Sequence, residues 1–431
     1  VIIAKNTIFV TEEFIAVLYC CNSFLRRNFV RLDRRQTAFL RILSKIRLIS
    51  WGGFLRFLHF DGMYAFPGSL PFRHGILQLD KLKIEFLLQL QAGPPEEGRA
   101  GHNKEDDPMK ILGLSAGTLN GANDSLCKEA LMGAQECGAE IEFINVHQLE
   151  IKHCTGCKAC VMSLFSGRGN GCIIQDDFQW LVDKMFDADA IMWAAPIFEK
   201  CAPGIFHTIM DRFGPRLDRG NLMIATKIAE EHGGKPIDPK YLREKPVSFM
   251  GIGGSDWATR IQCDFATHAL TPKWTLIDNQ CFPWSLSILM NDEAIAKAHQ
   301  MGRDLAAAAK KLEDGTFVPG HGIINEDYKG AAGVCPHCHG NNFYLQEDGT
   351  AICCLCGIEG TMKNVDGKYV FEYDADKWMP HAHDSISGKF IHGDDIQRNE
   401  GEARELMQSD EAKARKAKYR DFIQSSKPER G

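Results

Sequence analysis

Between residues 109 and 320, short apolar segments of strand length alternate with segments of helical periodicity. This alternation constrains the fold more than any other feature, because it is typical of parallel strands joined by crossover helices. It predicts strands at 111–114, 141–146, 188–195, 246–251 and 274–277, and helices at 126–137, 176–185, 203–213, 258–270 and 291–312. The predicted fold class is therefore α/β, with a doubly wound five-stranded parallel sheet.

Three of the predicted strand-end loops carry residues suited to ligand binding. The loop 115–125 offers hydroxyls, glycines and backbone N–H groups at the start of a helix, which suits an anion. The loops 195–200 and 251–257 follow the third and fourth strands, and glycines in the latter let the backbone approach a flat ligand closely. Any one of these loops could be an ordinary capped turn. Because all three follow the carboxyl ends of strands, where ligands bind in such sheets, together they predict a binding site.

These loops, in this order, resemble the flavodoxin-like NAD(P)H-dependent FMN reductases, and in particular the iron–sulfur flavoproteins. The first loop of that family, roughly G-S-P-R-x-x-G-N-T, is matched in kind by Ser115, Gly121, Asn123 and Ser125, although the proline and arginine are replaced here. The second loop, S-P-x-Y/F, corresponds to residues 195–198, and the third, glycine-bearing loop corresponds to residues 253–254.

The resemblance implies a flavodoxin-like domain over residues 109–320 that binds FMN, with NAD(P)H as electron donor. No second dinucleotide fingerprint such as G-x-G-x-x-G follows a strand, so FMN is expected rather than FAD. No side chain is assigned as a catalytic acid or base. The cofactor-binding residues that the resemblance implies are Ser115, Gly117, Thr118, Asn120, Gly121, Asn123, Ser125, Pro196, Ile197, Phe198, Gly253 and Gly254.

A first group of cysteines occupies the loop 153–172. Cys154, Cys157 and Cys160 have C-x2-C-x2-C spacing, and Cys172 follows after eleven intervening residues. Three evenly spaced thiolates and a fourth from further along favour a 4Fe–4S cluster. Free cysteines or zinc ligands are the alternative, but zinc usually takes separated pairs. Iron–sulfur flavoproteins carry a shorter version of this motif in the same loop.

A second group forms two C-x2-C knuckles, Cys335 with Cys338 and Cys353 with Cys356, separated by 14 residues. This spacing resembles a zinc ribbon or a rubredoxin-like knuckle pair, and it predicts a small C-terminal metal-binding β module over residues 333–360. Between the knuckles, residues 342–345 and 350–352 predict a hairpin. Four thiolates suit either ion, so structural zinc is preferred and an electron-relaying iron is the alternative.

The two ends of the chain differ in composition from this central part. Residues 1–108 hold 11 of the 26 phenylalanines and carry 15 Lys and Arg against 11 Asp and Glu. We expect this segment to be translated upstream sequence with no stable domain, because codons for residues 104–106 can form a ribosome-binding run before Met109. Residues 366–431 are expected to be a polar tail with an exposed helix over 399–424, and its histidines 381, 383 and 392 are expected to lie in a solvated loop.

The predicted function is that of an FMN-dependent oxidoreductase with an iron–sulfur centre, which transfers electrons between NAD(P)H or ferredoxin and an acceptor. The alternative is a non-enzymatic electron-transfer or redox-sensing module that acts through a protein partner. A net charge of -6 argues against nucleic-acid binding, and the apolar runs are too short for a membrane helix. A cytoplasmic homo-oligomer, dimer or tetramer, is expected.

Overall fold

The computed structural model describes residues 108–320 and 325–428, together with four short strands nearer the N-terminus. The chain divides into two compact units, Val1–Glu97 and Gly98–Gly431. Two antiparallel strand pairs are described in the first unit, Ile2–Ala4 with Thr7–Phe9 and Leu48–Trp51 with Phe54–Phe57. The rest of residues 1–107 lies outside the described residues, so the expectation about residues 1–108 stays a prediction.

The second unit is built on a five-stranded parallel sheet with strand order β2-β1-β3-β4-β5. Strands β1 to β5 are, in order, Lys110–Ser115, Glu140–Asn145, Ala190–Pro196, Pro246–Ile252 and Thr275–Phe282. All five strands lie where the alternation predicts them. The order 2-1-3-4-5 is that of a flavodoxin-like doubly wound sheet, so the predicted fold class is confirmed.

Helices cover both faces of the sheet. In chain order, α1 to α7 are Ala122–Glu136, Ala159–Phe165, Phe178–Asp187, Gly204–Leu217, Arg219–His232, Ile261–Leu270 and Asp292–Glu313. One core lies beneath α1 and α7 and includes Leu126 and Met301, and a second core on the other face includes Trp193 and Trp274. Within the described residues, no helix is long and apolar enough to cross a bilayer.

Helices α1 and α7 cross at two glycines. A Cβ atom on Gly133 would lie 2.1 Å from the carbonyl oxygen of His299, and one on Gly302 would lie 1.7 Å from the carbonyl oxygen of Ala130. Both positions therefore require glycine for the backbones to approach this closely. Next to the crossing, the His299 ring contacts Glu129 at 2.8 Å and Glu136 at 3.0 Å.

Two of these seven helices were not predicted. The short helix α2 lies inside the loop 153–172, which the sequence suggests is irregular. Helix α5 begins directly after α4, where the Asp218 side chain accepts a hydrogen bond from Asn221 N–H, and it ends at Gly233 in the left-handed conformation. An aspartate cap and a terminal glycine are ordinary helix boundaries, so the signal for α5 was present in the sequence.

The C-terminal module is an antiparallel four-stranded sheet in the order β6-β7-β8-β9. These strands are Phe343–Leu345, Thr350–Cys353, Glu359–Val365 and Lys368–Glu372. The hairpin predicted between the two cysteine knuckles is β6–β7, with Gly349 at φ 88° in its turn. The sheet continues to Glu372, past the boundary predicted at residue 360.

Three helices follow the module, α8 at Ala375–Trp378, α9 at Ile386–Gln408 and α10 at Asp410–Phe422. The helical part of the tail thus starts earlier than predicted, because Ser385 caps α9 by accepting from Gly388 N–H. The prediction that the three tail histidines share a loop is wrong for His392, which lies in α9, although all three are exposed. Lys389 joins α9 to the main domain through an ion pair with Asp218 at 2.6 Å.

Candidate functional site

The carboxyl ends of β1, β3 and β4 are neighbours in the sheet, so the three predicted loops meet at one edge. Ile197 N–H donates to the carbonyl oxygen of Ile252 at 3.1 Å, which joins the loop after β3 to the end of β4. Gly253 lies so close that a Cβ atom would come within 3.1 Å of Ile197 Cδ1 and 2.9 Å of the Ser255 carbonyl oxygen. The predicted cofactor-binding residues of these loops therefore lie along a single edge.

Asp124 is fully buried and holds the loop 115–125 in shape. Its Oδ2 accepts from the backbone N–H of Asn120 at 2.7 Å, and its Oδ1 accepts from Asn145 Nδ2 at 2.8 Å. Asn145 Nδ2 also donates to the Gly117 carbonyl oxygen at 3.0 Å, and Asn120 has the left-handed φ of 58° that this closure requires. Neither Asp124 nor Asn145 was predicted. Asp124 could have been noticed in the sequence, because acidic residues are common in the first turn of a helix.

The same loop provides a donor set that fits a phosphate group. Gly121 precedes α1 and has no side chain that could bind the first-turn N–H groups. A Cβ atom on Gly117 would lie 2.4 Å from Asn123 Cβ, so the tight loop needs glycine there. Unsatisfied N–H groups at the positive end of a fifteen-residue helix bind phosphate well. The loop therefore fits the phosphate of FMN.

Three aromatic side chains extend from the loops after β3, β4 and β5 at this edge. The exposed fractions are 60% for Phe198, 70% for Trp257 and 58% for Trp284. Glu199 and Lys200 both adopt left-handed conformations, with φ of 49° and 69°, and form a tight turn after Phe198. Lys200 Nζ lies 5.4 Å from the centre of the Trp257 ring. Exposed aromatic rings beside an anion-binding loop suit a flat aromatic ligand. The two tryptophans were not predicted as site residues.

The C-terminal module gathers the four cysteines of the second group. The sulfurs of Cys335, Cys338, Cys353 and Cys356 are buried and lie within 4.8 Å of one another. The Sγ atoms of Cys335 and Cys356 are 3.8 Å apart, and those of Cys338 and Cys353 are 3.5 Å apart. A tetrahedral zinc ion with Zn–S bonds of about 2.3 Å needs sulfurs about 3.8 Å apart. The predicted ligand set therefore fits one tetrahedral metal ion.

Hydrogen bonds around the four cysteines fix the two knuckles. Cys335 N–H donates to the Gly340 carbonyl oxygen at 3.0 Å, and Cys353 N–H donates to the Ile358 carbonyl oxygen at 3.0 Å. His337, inside the first knuckle, contacts Asp384 at 2.7 Å, and both side chains are buried. The carboxylate raises the pKa of His337 above its ordinary value, against the effect of burial. These hydrogen bonds, together with the one from His383 N–H to the Cys356 carbonyl oxygen at 2.9 Å, hold the backbone that carries the four sulfurs.

The cysteines of the first group lie in and around α2. Gly156 N–H donates to Cys154 Sγ at 3.5 Å, and Arg212 Nη2 donates to Cys172 Sγ at 3.5 Å. A hydrogen bond from the Ala159 backbone lowers the pKa of the exposed Cys157 thiol. Among the described residues, no three of these thiols form a compact group like that of the C-terminal module. Hydrogen bonds to sulfur are nevertheless a feature of iron–sulfur ligation.

Comparisons with known proteins agree with this geometry. A flavone reductase of known structure is 55% identical, with a TM-score of 0.65, over 74% of this chain and 100% of that chain. A flavone synthase of Aspergillus candidus is 26% identical over 275 residues, which is 61% of this chain and 80% of that protein. An iron–sulfur flavoprotein of Methanosarcina thermophila is 31% identical over 121 residues, 28% of this chain and 60% of that protein.

The family model for NADPH-dependent FMN reductase matches residues 109–284, the part of the chain that contains all three loops. The flavone reductase alignment extends well beyond this segment, since it covers about three quarters of the chain. The fold, the anion-binding loop and the similarity agree, and the protein is therefore an FMN oxidoreductase that belongs to the NADPH-dependent FMN reductase family.

Proposed function

We propose that this FMN oxidoreductase takes reducing equivalents from NAD(P)H and reduces a flat, conjugated aromatic ketone of the flavone class. The observation that carries the proposal is the set of exposed rings, Phe198, Trp257 and Trp284, in the loops after β3, β4 and β5, at the sheet edge that also carries loop 115–125. The flavone reductase with 55% identity supports the choice of substrate class, because the match covers 100% of that protein. FMN, when bound, would supply the hydride chemistry.

Within this proposal, the protein binds and orients both reactants. Loop 115–125 would hold the FMN phosphate through Ser115, Gly117, Thr118, Asn120, Gly121, Asn123 and Ser125. The ring system would lie against Pro196, Ile197, Phe198, Gly253 and Gly254, where the loops after β3 and β4 approach each other closely. The exposed aromatic rings would then exclude water from one face of the substrate, which strengthens the interactions inside the site.

An anaerobic turnover assay tests the substrate class. NADPH or NADH is mixed with the FMN-loaded protein and a flavone, and we expect a product heavier by two hydrogen atoms, formed in proportion to the nicotinamide oxidised. Trp257→Ala should raise KM for the flavone, while Trp180→Ala, which removes an exposed tryptophan from α3, should leave KM unchanged. Nicotinamide oxidation that is not accelerated by any flavone would exclude this substrate class.

A second proposed function is electron relay through an iron–sulfur centre on Cys154, Cys157, Cys160 and Cys172. The N–H···S hydrogen bonds to Cys154 and Cys172 favour it, as does the similarity to iron–sulfur flavoproteins. One-electron acceptors such as ferredoxin would then be partners. Iron and sulfide analysis of anaerobically purified protein, with a visible spectrum, tests this proposal. Absence of iron from protein with full flavone reductase activity would leave only the first function.

For the C-terminal module we propose a structural zinc ion held by Cys335, Cys338, Cys353 and Cys356. The compact group of buried sulfurs supports a single ion, and a small module of this kind draws much of its folding energy from the metal. Iron would give the module a redox role instead. Metal analysis of the purified protein distinguishes the two, because iron in four-thiolate coordination colours the protein and zinc does not.

A further inference from the structure

Two arginines of α4 lie in the interior beside the cysteine loop. The helix is interrupted at Gly214 and Pro215, where the backbone leaves the helical conformation. Arg212 precedes this kink and Arg216 follows it, and the two residues are 4% and 2% exposed. Both guanidinium groups lie over the ring of Phe178, at 4.1 Å and 5.5 Å from its centre. Two positive charges are therefore enclosed within one small region.

Arg212 has a carboxylate partner. Its Nη1 forms an ion pair with Asp176, whose side chain is fully buried, and donates to the Lys152 carbonyl oxygen at 3.2 Å. Its second terminal nitrogen, Nη2, is the donor to Cys172 Sγ at 3.5 Å. Asp176 thus balances the charge of Arg212. The other terminal nitrogen of Arg212 contacts Cys172, which the sequence pattern makes the fourth ligand of the cluster.

Arg216 has no such partner. Its Nη2 donates to Gln179 Oε1 at 2.6 Å, while Nε and Nη1 are buried without any acceptor in the described part of the chain. No carboxylate of the described residues lies within ion-pair distance of it. Burial lowers the pKa of its guanidinium, and negative charge on Cys172, Tyr241 or Cys160 would oppose that effect.

Of these groups, only the thiols can provide the missing negative charge. Tyr241 donates its hydroxyl hydrogen to Asp183 at 3.1 Å, and burial raises its pKa, so it stays neutral. A buried cation without a counter-ion is strongly destabilising. Arg216 lies four residues beyond Arg212, which donates to Cys172 Sγ, and both guanidinium groups lie over the same phenylalanine ring. Its two nitrogens without acceptors therefore mark a place for an anion that the described residues do not provide.

We propose that Arg216, together with Arg212, is the fixed positive charge that holds an anionic metal–thiolate cluster on Cys160 and Cys172. The inference rests on the proposed iron–sulfur centre and assigns positioning residues to it. Thiolate ligands give such a cluster net negative charge, and a nearby cation stabilises the reduced form, which carries one more electron. The same charge identifies Cys172, hydrogen-bonded to Arg212, as a ligand despite the long insertion before it.

The test compares Arg216→Met with wild type and with Arg168→Gln, a change of an exposed arginine in the same cysteine loop. Each protein is loaded with FMN and reconstituted anaerobically with iron and sulfide. We expect Arg216→Met to bind the cluster about 10- to 100-fold more weakly, as for other residues that support metal ligands. The equilibrium constant for cluster reduction should fall at least tenfold, which is about 59 mV for one electron. Arg168→Gln should match wild type, and Arg216→Lys should recover part of the potential.

Metal-free protein provides a second readout. Without the cluster, Arg216 is an unpaired buried charge, so metal-free Arg216→Met should unfold at a temperature no lower than that of metal-free wild type. In cluster-loaded protein, Arg216→Met should instead unfold at a lower temperature than wild type. A metal-free variant that unfolds well below wild type would mean that Arg216 supports the fold itself, and it would overturn the inference.

The remaining outcomes separate this inference from the proposed function. If wild type holds iron and sulfide and Arg216→Met holds the same cluster at the same potential, the centre exists and Arg216 is not its counter-charge. If reconstituted wild type keeps FMN but holds no iron, the iron–sulfur proposal fails and the inference fails with it. Weaker FMN binding with unchanged iron would likewise overturn the inference, because it would connect Arg216 to the flavin instead.

Discussion

Asn145 Nδ2 donates a hydrogen bond to Asp124 Oδ1 at 2.8 Å, and this bond joins the end of β2 to the first turn of α1. Within the loop 115–125, the same carboxylate also accepts from the backbone N–H of Asn120. Both bonds hold the loop in shape. In the proposed FMN site, Asp124 would therefore order the backbone whose N–H groups bind the phosphate, rather than face the phosphate itself.

Replacing Asp124 by Ala should weaken FMN binding, because the amide of Asn145 and the N–H of Asn120 lose their acceptor. Buried donors left without partners cost about 1–3 kcal/mol each, so a loss of at least tenfold in affinity is expected. Titration of apoprotein with FMN, followed by quenching of flavin fluorescence, measures this. Gln135→Ala changes an exposed residue of the same helix and should leave the affinity unchanged. Equal affinity for both variants would contradict the role of Asp124.

Gly117→Ala should abolish FMN binding while the protein stays folded. The added Cβ would lie 2.4 Å from Asn123 Cβ, so the loop must open to accept it. Gly401 in α9 has nothing within 4 Å of an added Cβ, which makes Gly401→Ala the matched control. The flavin content of the two purified variants gives the answer. A Gly117→Ala protein that retains a full complement of FMN would show that the phosphate binds elsewhere.

Two cysteines of the C-terminal module should respond differently to substitution. Cys338→Ala removes one of four buried sulfurs and should release the metal and expose the residues around 333–372 to protease. Cys354 is exposed and lies outside the group of four, so Cys354→Ala should keep the metal. Metal content and limited proteolysis distinguish them. Loss of metal from both variants would mean that the ligand set is different.

The sheet could be predicted because its strands are short apolar segments that alternate with helical segments along the chain. The location of the candidate site could be predicted from the same pattern, because the carboxyl ends of parallel strands lie at one edge of the sheet. Asp124 and Arg216 could not be predicted in this way. Each is an ordinary charged residue in a helix, and its surroundings depend on burial and on partners such as Asn145 or Gln179, which are distant in sequence. Tertiary placement, rather than local pattern, decides such roles.

Exposed apolar side chains after β5 lead to a prediction about association. Leu286 is fully exposed, and Met290 and Trp284 are mostly exposed in the segment that follows β5. Exposed apolar patches are typical of interfaces, and we expect a homo-oligomer that buries these side chains. Leu286→Asp with Met290→Asp should shift the mass in multi-angle light scattering toward the monomer. Val318→Asp, at an exposed apolar residue beyond the end of α7, should not. A wild-type monomer would contradict the expectation.

His299 should make the stability of the α1–α7 crossing depend on pH. Its hydrogen bonds with Glu136 and Glu129 raise the pKa of the imidazole in the folded protein above the unfolded value of about 6.5. A raised folded pKa gives stabilisation that is complete below the unfolded pKa and is lost as the pH rises through the folded value. The free energy of unfolding of wild type should therefore exceed that of His299→Gln most at about pH 5.5, and the difference should shrink toward about pH 9. Urea unfolding at several pH values measures it, with Gln300→Ala as a neighbouring change that does not titrate. A difference that stays constant over this range would show that the two carboxylates do not stabilise the protonated ring.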